Sequence, residues 1–297
     1  MKFLRLIGFG HLLLLAFAQL IFKYGFLDYQ PGLRLTLNDT NYSLLVLASV
    51  LIAAGGSLIT NITSKGSESF GLSESVAFYI YGGLTITGLV IGYYLADLIG
   101  RPSFMIAFAI AVGTLYFYST NLRESLLLGN ITIAFLMGLS IMVIGVFAIY
   151  PVFGTSDRVQ LATIFGLITD YALFTLVLGL IATLLNDLKN TDIDYNEGLN
   201  TLPIAIGKKR TVKITFAIGI IAAALLLYYI NEYLRELLWA LGYCLLFILG
   251  PLVYLLINIL SAKSSKDFSA LEVVVKAILL FTALSATIIT FNIKYHA

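Results

Sequence analysis

Charged residues are scarce in this sequence. They make up 11% of its 297 residues, while 60% of the residues are hydrophobic, and a typical soluble domain carries about 25% charge. A soluble fold this apolar would expose large hydrophobic patches. The composition therefore excludes an ordinary soluble protein and predicts a chain whose solvent is lipid. The net charge of +2 is too small to indicate a nucleic-acid partner, and none is predicted.

Cysteine is nearly absent as well. The one cysteine, Cys244, lies inside an apolar run, so neither a disulfide nor a thiolate metal site can form within one chain. We interpret Cys244 as a small buried core residue.

Long apolar stretches predict helices that cross a bilayer. They cover roughly 6–27, 43–62, 75–97, 103–119, 125–150, 160–185, 211–230, 237–260 and 271–292. We predict an all-α integral membrane bundle of nine transmembrane helices, forming one domain over residues 1–297. The first stretch begins like a signal peptide, but it continues to Leu27, so we expect it to remain as a span. Residues 262–269 are predicted as a short flexible link.

The distribution of Lys and Arg predicts the orientation. With the N-terminus in the cytoplasm, 11 of the 18 basic residues fall on the cytoplasmic side and five on the other. This bias predicts an N-in, C-out topology. The second, fourth and sixth helices then end at the cytoplasmic face, where the first helix begins. The polar residues predicted near that face are His11, Asn61, Ser64, Tyr118, Arg123 and Asp187.

The most polar segment of the chain runs from Asn186 to Gly198 and is followed by the basic residues Lys208 to Arg210. It holds four of the sixteen acidic residues. Several carboxylates at a membrane edge, followed by basic residues, suit a divalent metal and a phosphate-bearing ligand. Two plainer interpretations stay open: the acidic part is a solvated loop, and the basic part anchors the next helix.

The spacing of the acidic residues selects candidate metal ligands. If the sixth helix continues through this segment, Asp187, Asn190 and Asp194 lie on one face. Asp192 points about 140° away from Asp187, at about 100° per residue. Asp187 and Asp194 are therefore candidate Mg²⁺ ligands, and Asn190 offers a neutral oxygen.

Three polar residues lie deeper in the apolar stretches. Asp170 is about 25 Å along a helix from the acidic segment, too far to share its metal. An acid within a span is a functional hypothesis by default, so Asp170 either contacts a deeper part of a ligand or pairs with Lys23 or Lys276. Gln19 and Asn130 are interpreted as interhelical hydrogen-bonding residues.

The acidic segment resembles the second aspartate-rich motif of the UbiA superfamily of membrane prenyltransferases. The resemblance rests on Asp187 to Asp194 followed by Gly198, Asn200-Thr201-Leu202-Pro203 and Gly207. It extends over nearly the whole chain through Ala53–Gly56, Leu72–Glu74, Tyr118–Arg123 and Gly129-Asn130. Within the superfamily, this chain most resembles bacterial members that are similar to geranylgeranylglycerol-phosphate geranylgeranyltransferases.

The resemblance implies a function and a set of site residues. Members have nine transmembrane helices, bind a prenyl diphosphate through Mg²⁺ on the cytoplasmic side, and transfer the prenyl group to a lipid or aromatic acceptor. For this chain it implies a site in the inner membrane of a bacterium, with Asp187 and Asp194 catalytic. The implied metal ligands are Asp187, Asn190, Asp192, Asp194 and Glu68. The implied substrate-binding residues are His11, Asn61, Ser64, Tyr118, Arg123, Asp170 and Lys189. Of these, Arg123 and Lys189 are expected to bind the diphosphate oxygens.

The chain departs from the family's first motif, Asn-Asp-x-x-Asp-x-x-x-Asp. In residues 60–68, which match it, only Glu68 keeps a carboxylate. Three functions stay open: a Mg²⁺-dependent prenyltransferase with one reduced metal site, a non-catalytic relative that binds an isoprenoid or lipid or supports another enzyme, and an unrelated multi-span transporter. No oligomeric state is predicted.

Overall fold

The computed structural model describes residues 2–152 and 158–296, and within these ranges the chain is helical and contains no strand. This confirms the predicted all-α class. The α-helices of these ranges, in chain order, are α1 Lys2–Leu6, α2 Phe9–Ile21, α3 Asp39–Lys65, α4 Glu74–Leu98, α5 Ile106–Thr120, α6 Leu128–Ile144, α7 Arg158–Asn196, α8 Leu202–Ile206, α9 Lys208–Tyr233, α10 Leu238–Tyr243, α11 Gly250–Ile259 and α12 Ser265–His296.

Short π-helical segments lengthen three of these helices. They are Phe22–Phe26 after α2, Gly145–Ile149 after α6, and Cys244–Leu249 between α10 and α11. With them, the described residues contain nine helices long and apolar enough to cross a membrane, which confirms the predicted number. These helices are Phe9–Tyr29, Asp39–Ser64, Glu74–Leu98, Pro102–Thr120, Leu128–Val152, Arg158–Asn196, Lys208–Tyr233, Leu238–Ile259 and Ser265–Tyr295. The N-in, C-out orientation stays a prediction.

Two helix boundaries differ from the sequence-based prediction. The helix predicted over 160–185 continues to Asn196, so the acidic segment is helical rather than a loop. The predicted flexible link at 262–269 is also wrong, because α12 begins at Ser265. The side chain of Asp267 accepts hydrogen bonds from the backbone N–H groups of Lys263 and Ser264, at 3.0 and 2.8 Å. The Asp267 N–H donates to Ser264 Oγ, which completes a reciprocal N-terminal cap.

Residue contacts divide the chain into two compact units, each assembled from three segments. Unit 1 comprises Met1–Leu20, Gln30–Leu122 and Ser140–Thr169, and unit 2 comprises Ile21–Tyr29, Arg123–Leu139 and Asp170–Ala297. The prediction of one domain over residues 1–297 stays a prediction.

Unit 1 is built around α3. Side-chain caps start α3 and α4: the Asn38 side chain accepts from Asn41 N–H, and the Ser73 hydroxyl accepts from Val76 N–H. Gly88 of α4 lets the two helices approach closely, since a Cβ there would lie 3.3 Å from the Ala48 carbonyl oxygen.

The amide of Gln19 joins three helices of unit 1. Its Nε2 donates to Ser49 Oγ on α3 at 3.2 Å and to the Ser140 carbonyl oxygen on α6 at 2.7 Å. This confirms the predicted interhelical role.

Unit 2 packs the first part of α6 against α7 and the last helices against one another. A Cβ on Gly138 of α6 would lie 2.9 Å from the Ala172 carbonyl oxygen on α7, so a small residue is needed there. On α12, Asn292 Oδ1 accepts the N–H groups of Trp239 and Ala240 at the start of α10. Cys244 is buried, as predicted.

Candidate functional site

The last turns of α7 carry two carboxylates in low-exposure positions within unit 2. Asp187 is half-buried, and one of its oxygens, Oδ2, accepts a hydrogen bond from Asn130 Nδ2 of α6 at 2.8 Å. Asp194, two turns later on the same face, is buried, with 8% of its surface exposed. The two carboxylates lie close enough for their charges to interact.

Asp194 is the most informative of these residues. Within the described part of the chain its carboxylate has no hydrogen bond and no ion pair. Buried charges in proteins are normally paired or bound to a metal, because an isolated one loses its hydration without compensation. A cation bound beside Asp194 and Asp187 would also relieve their mutual repulsion.

Arg123 supplies positive charge to the same place. Its guanidinium interacts electrostatically with both Asp187 and Asp194. Its Nη2 atom lies 3.3 Å from Glu197 Oε2, in a half-exposed ion pair. Arg123 therefore stands beside the two carboxylates, with a contact to Glu197 that is weak enough to exchange.

The structure brings some of the predicted metal ligands together and separates others. Asn190 is half-buried on the same helix face, and its amide nitrogen donates to Asn186 Oδ1 at 3.1 Å, which leaves its oxygen for a ligand. Asp192 points elsewhere, as its spacing predicted: its side chain is 88% exposed and accepts from Lys208 Nζ at 3.1 Å. Asp192 is therefore not part of this carboxylate pair.

Lys189 contacts a residue that sequence reasoning did not single out. Its Nζ lies 2.6 Å from Glu272 Oε2 on α12, and Lys276 Nζ lies 2.7 Å from the other oxygen of Glu272. Lys189 is thus already paired, and its predicted contact with diphosphate stays a prediction. The signal for Glu272 was present in the sequence as a single acid in the ninth apolar stretch.

Of the two alternatives for Asp170, the pairing with Lys23 or Lys276 is wrong, and contact with a ligand stays a prediction. Lys23 Nζ bonds both carboxylate oxygens of Asp28, at 2.9 and 3.1 Å, and Lys276 bonds Glu272. Asp170 instead faces a cavity inside unit 2.

The remaining predicted residues belong to unit 1. The Asn61 amide donates to the carbonyl oxygens of Leu6 and Ser57, at 2.9 and 3.0 Å. The Ser64 hydroxyl donates to the Thr60 carbonyl oxygen at 2.7 Å. Glu68 is exposed in the 3-10 turn Ser67–Phe70, His11 is exposed on α2, and Tyr118 is half-buried on α5. Their roles in substrate or metal binding stay predictions.

The donor set fits a magnesium ion that is shared with a ligand. The described residues contain no group of three or more His, Cys, Asp or Glu side chains placed to hold a metal. Mg²⁺ is usually bound by one or two carboxylates, with substrate phosphates and water completing its octahedron. Asp187 and Asp194, with the Asn190 oxygen, match that requirement.

Solved structures share this fold over nearly the full chain. A digeranylgeranylglyceryl phosphate synthase matches with a TM-score of 0.64 at 18% identity, covering 96% of this chain and 98% of its own. A UbiA homologue from Archaeoglobus fulgidus bound to GPP and Mg²⁺ matches with a TM-score of 0.63 at 15% identity, covering 97% and 99%. The same homologue bound to Cd²⁺ has a TM-score of 0.64 at 14% identity, again covering 97% and 99%. This chain has the UbiA fold.

At these identities the likeness establishes the fold. No family model matches the sequence, and no curated protein matches it significantly. The UbiA fold thus confirms the predicted architecture. Inferences about metal and ligand binding rest on the carboxylate pair of α7.

Proposed function

We propose that this protein is a member of the UbiA superfamily that transfers a prenyl group from a prenyl diphosphate to a lipid or aromatic acceptor within the membrane. The observation that carries the proposal is Asp194, a buried carboxylate with no hydrogen bond or ion pair in the described chain, on one helix face with Asp187. The homologue from A. fulgidus, which has the same fold, binds GPP and DMAPP with Mg²⁺.

Each residue of the pair has a distinct part in the proposed site. Asp187 and Asp194 would hold Mg²⁺, with the Asn190 oxygen as a further ligand. The Asn130 amide fixes one oxygen of Asp187, so the other oxygen would be left to hold the metal. Bound Mg²⁺ supplies positive charge that stabilises the departing diphosphate.

Arg123 supplies the second positive charge of the proposed site, after Mg²⁺. A diphosphate attracts a guanidinium more strongly than a single half-exposed carboxylate does, because it offers more charge and bidentate oxygens. Arg123 would therefore exchange Glu197 for the diphosphate and neutralise charge that develops as the allylic bond breaks. In the proposed topology this site faces the cytoplasm from the inner membrane of a bacterium.

A second candidate is a non-catalytic protein that binds an isoprenoid or lipid. One observation favours it: the Asn61 and Ser64 side chains, at the family's first-motif positions, bond backbone carbonyls of unit 1. A site with one metal set would bind a prenyl diphosphate while turning it over slowly or not at all.

The two candidates differ in a direct assay. Purified protein in detergent is mixed with labelled geranylgeranyl diphosphate, Mg²⁺ and candidate acceptors, and both bound ligand and released diphosphate are measured. We expect Mg²⁺-dependent binding and slow diphosphate release, both lost in Asp187→Asn and Asp194→Asn.

Asp192→Asn is the matched control, because it removes an acidic residue of the same helix that is exposed and paired with Lys208. Binding without release would select the non-catalytic candidate. Binding that needs no Mg²⁺, or that survives both substitutions, would contradict the proposed site.

A further inference from the structure

A cavity inside unit 2 is separate from the carboxylate pair. It has a volume of about 160 Å³ and is lined by residues of α7, α9, the π-helical segment 244–249 and α12. An engineered cavity of about 150 Å³ holds a benzene molecule, so this one has room for a group of about that size. Leu173 and Tyr228 line it and are exposed on the surface of the chain, so the cavity is accessible from outside.

One wall of the cavity carries a buried hydroxyl with no partner. Thr282 of α12 is 5% exposed, and its Oγ1 has no hydrogen bond within the described residues. A helical threonine normally donates to the carbonyl three or four residues earlier. Thr290 of the same helix does this, donating to the Ala286 carbonyl oxygen at 2.9 Å. Thr282 does not, so its hydroxyl is left for something inside the cavity.

The cavity also contains a carboxylate, that of Asp170, with no partner of opposite charge in the described chain. Asp170 lines the cavity, and within the described chain its carboxylate has no hydrogen bond and no ion pair. It lies within electrostatic range of the Tyr229 and Tyr233 hydroxyls. An unpaired carboxylate in a membrane span is costly, and its natural complement is a cation.

Tyrosine rings favour the same kind of ligand. Tyr171, Tyr228, Tyr229 and Tyr233 all line the cavity. The rings of Tyr229 and Tyr233 lie 5.1 Å apart, and those of Tyr171 and Tyr229 lie 6.2 Å apart. The electron-rich faces of aromatic rings attract a cation within about 6 Å.

From these features we propose that the cavity binds the primary ammonium group of an amphiphilic amine, between Asp170, Thr282 and the tyrosine wall. A primary ammonium has three N–H donors, so it can bond both the Asp170 carboxylate and the Thr282 oxygen while its alkyl chain contacts the apolar lining. A neutral hydroxyl would satisfy Thr282 but would leave the charge of Asp170 unpaired. The inference does not depend on the proposed prenyl transfer.

The test uses the whole protein in nanodiscs of phosphatidylglycerol, which contains no amine. The probes are a decylamine that carries an aliphatic diazirine and the decanol of the same length with the same photoreactive group. After irradiation, labelled peptides are mapped by mass spectrometry. We expect the amine to label peptides of the cavity lining, and to do so at least about tenfold more than the alcohol.

Three variants refine the result. Asp170→Asn should lower labelling by at least about tenfold. Thr282→Val, which replaces the hydroxyl by a methyl group of similar size, should lower it about fivefold. Thr290→Val is the matched control, since its hydroxyl already bonds its own helix, and should leave labelling unchanged. If Asp170→Asn fails to fold, the ratio of amine to alcohol on the unsubstituted protein still decides.

Competition identifies the source of the ammonium group. Displacement of the probe by phosphatidylethanolamine in the nanodisc indicates a lipid headgroup, and displacement by butylamine in the buffer indicates a small soluble amine. Equal labelling by the amine and the alcohol, or labelling unaffected by Asp170→Asn, would show that the cavity holds only water or lipid chains and would overturn the inference.

Discussion

The polar side chains at the end of α7 and at the end of α3 differ in whether groups of the protein satisfy them. At the end of α7, Asp194 is buried with no hydrogen bond or ion pair in the described chain, and Asp187 keeps one oxygen outside its bond to Asn130. At the end of α3, Asn61 and Ser64 donate to backbone carbonyls of their own unit. The first end is incomplete without a ligand, whereas the second is complete as it stands.

This difference explains how the UbiA fold can form in a chain without acidic residues at positions 61 and 64. Asparagine and serine at the end of α3 form hydrogen bonds that stabilise unit 1, so that end needs no metal to satisfy its polar groups. At the end of α7, Asp187 has one such bond, to Asn130, whereas Asp194 has no hydrogen bond in the described chain. The polar groups of this end are therefore only partly satisfied by the protein, which leaves them for a ligand.

The largest expected effect separates binding from stability at Asp194. Asp194→Asn should abolish Mg²⁺-dependent binding of geranylgeranyl diphosphate, a loss of more than about 100-fold, because a direct metal ligand is removed. The same substitution should raise the free energy of unfolding by about 1 kcal/mol, because it removes a largely desolvated charge that has no hydrogen bond or ion pair and only the nearby charge of Arg123 to compensate it. Ligand binding and thermal unfolding in detergent measure the two effects.

Asp192→Asn should change the free energy of unfolding by less than about 0.5 kcal/mol. If Asp194→Asn were instead destabilising, Asp194 would have a structural partner, and the contrast between the two helix ends would disappear.

The second prediction compares two buried amides. Asn130→Ala removes the donor that orients Asp187, and should raise the Mg²⁺ concentration needed for half-maximal ligand binding about 10- to 100-fold. Gln19→Ala removes a buried interhelical amide of unit 1 and should lower stability without changing that concentration. A Mg²⁺ titration of both variants decides between a positioning role and a purely structural one, since only the former moves the midpoint.

The sequence predicted much of this arrangement because the relevant signals are local. The length of the apolar runs depends on the thickness of the bilayer, so nine spans could be counted. The face shared by Asp187 and Asp194 follows from helical periodicity. The continuation of α7 to Asn196 could be predicted only as one of two alternatives, because polar residues at a helix end fit both a loop and a solvated helical turn.

Partners from distant parts of the chain could not be predicted in the same way. The interpretation of Asn130 as an interhelical hydrogen-bonding residue is confirmed, but nothing near it in sequence identified Asp187 as its partner. Lys189 was assigned to diphosphate, while the structure pairs it with Glu272, 83 residues away. The missed start of α12 had a local signal, the Ser264 and Asp267 capping pair, which was taken for a flexible link.

The third prediction concerns the end of α3. Asn61→Ala removes two hydrogen bonds to the Leu6 and Ser57 carbonyl oxygens, and should lower the free energy of unfolding by about 1–3 kcal/mol. The Mg²⁺ midpoint should stay within about twofold of the original value. A shift comparable to that of Asn130→Ala would mean that the end of α3 also contributes to the proposed metal site.

The smallest expected effect tests whether Arg123 leaves Glu197 to bind a ligand. Glu197→Gln removes the charge that pairs with Arg123 at 3.3 Å, and half-exposed ion pairs are worth about 0.2–1 kcal/mol. Because the ligand no longer has to displace Glu197, its affinity should rise about two- to fivefold. The gain should shrink as salt is added, since screening weakens the original pair as well. In Arg123→Gln the same Glu197→Gln substitution should have no effect, and a gain that persists there would mean that Glu197 acts on the ligand without Arg123.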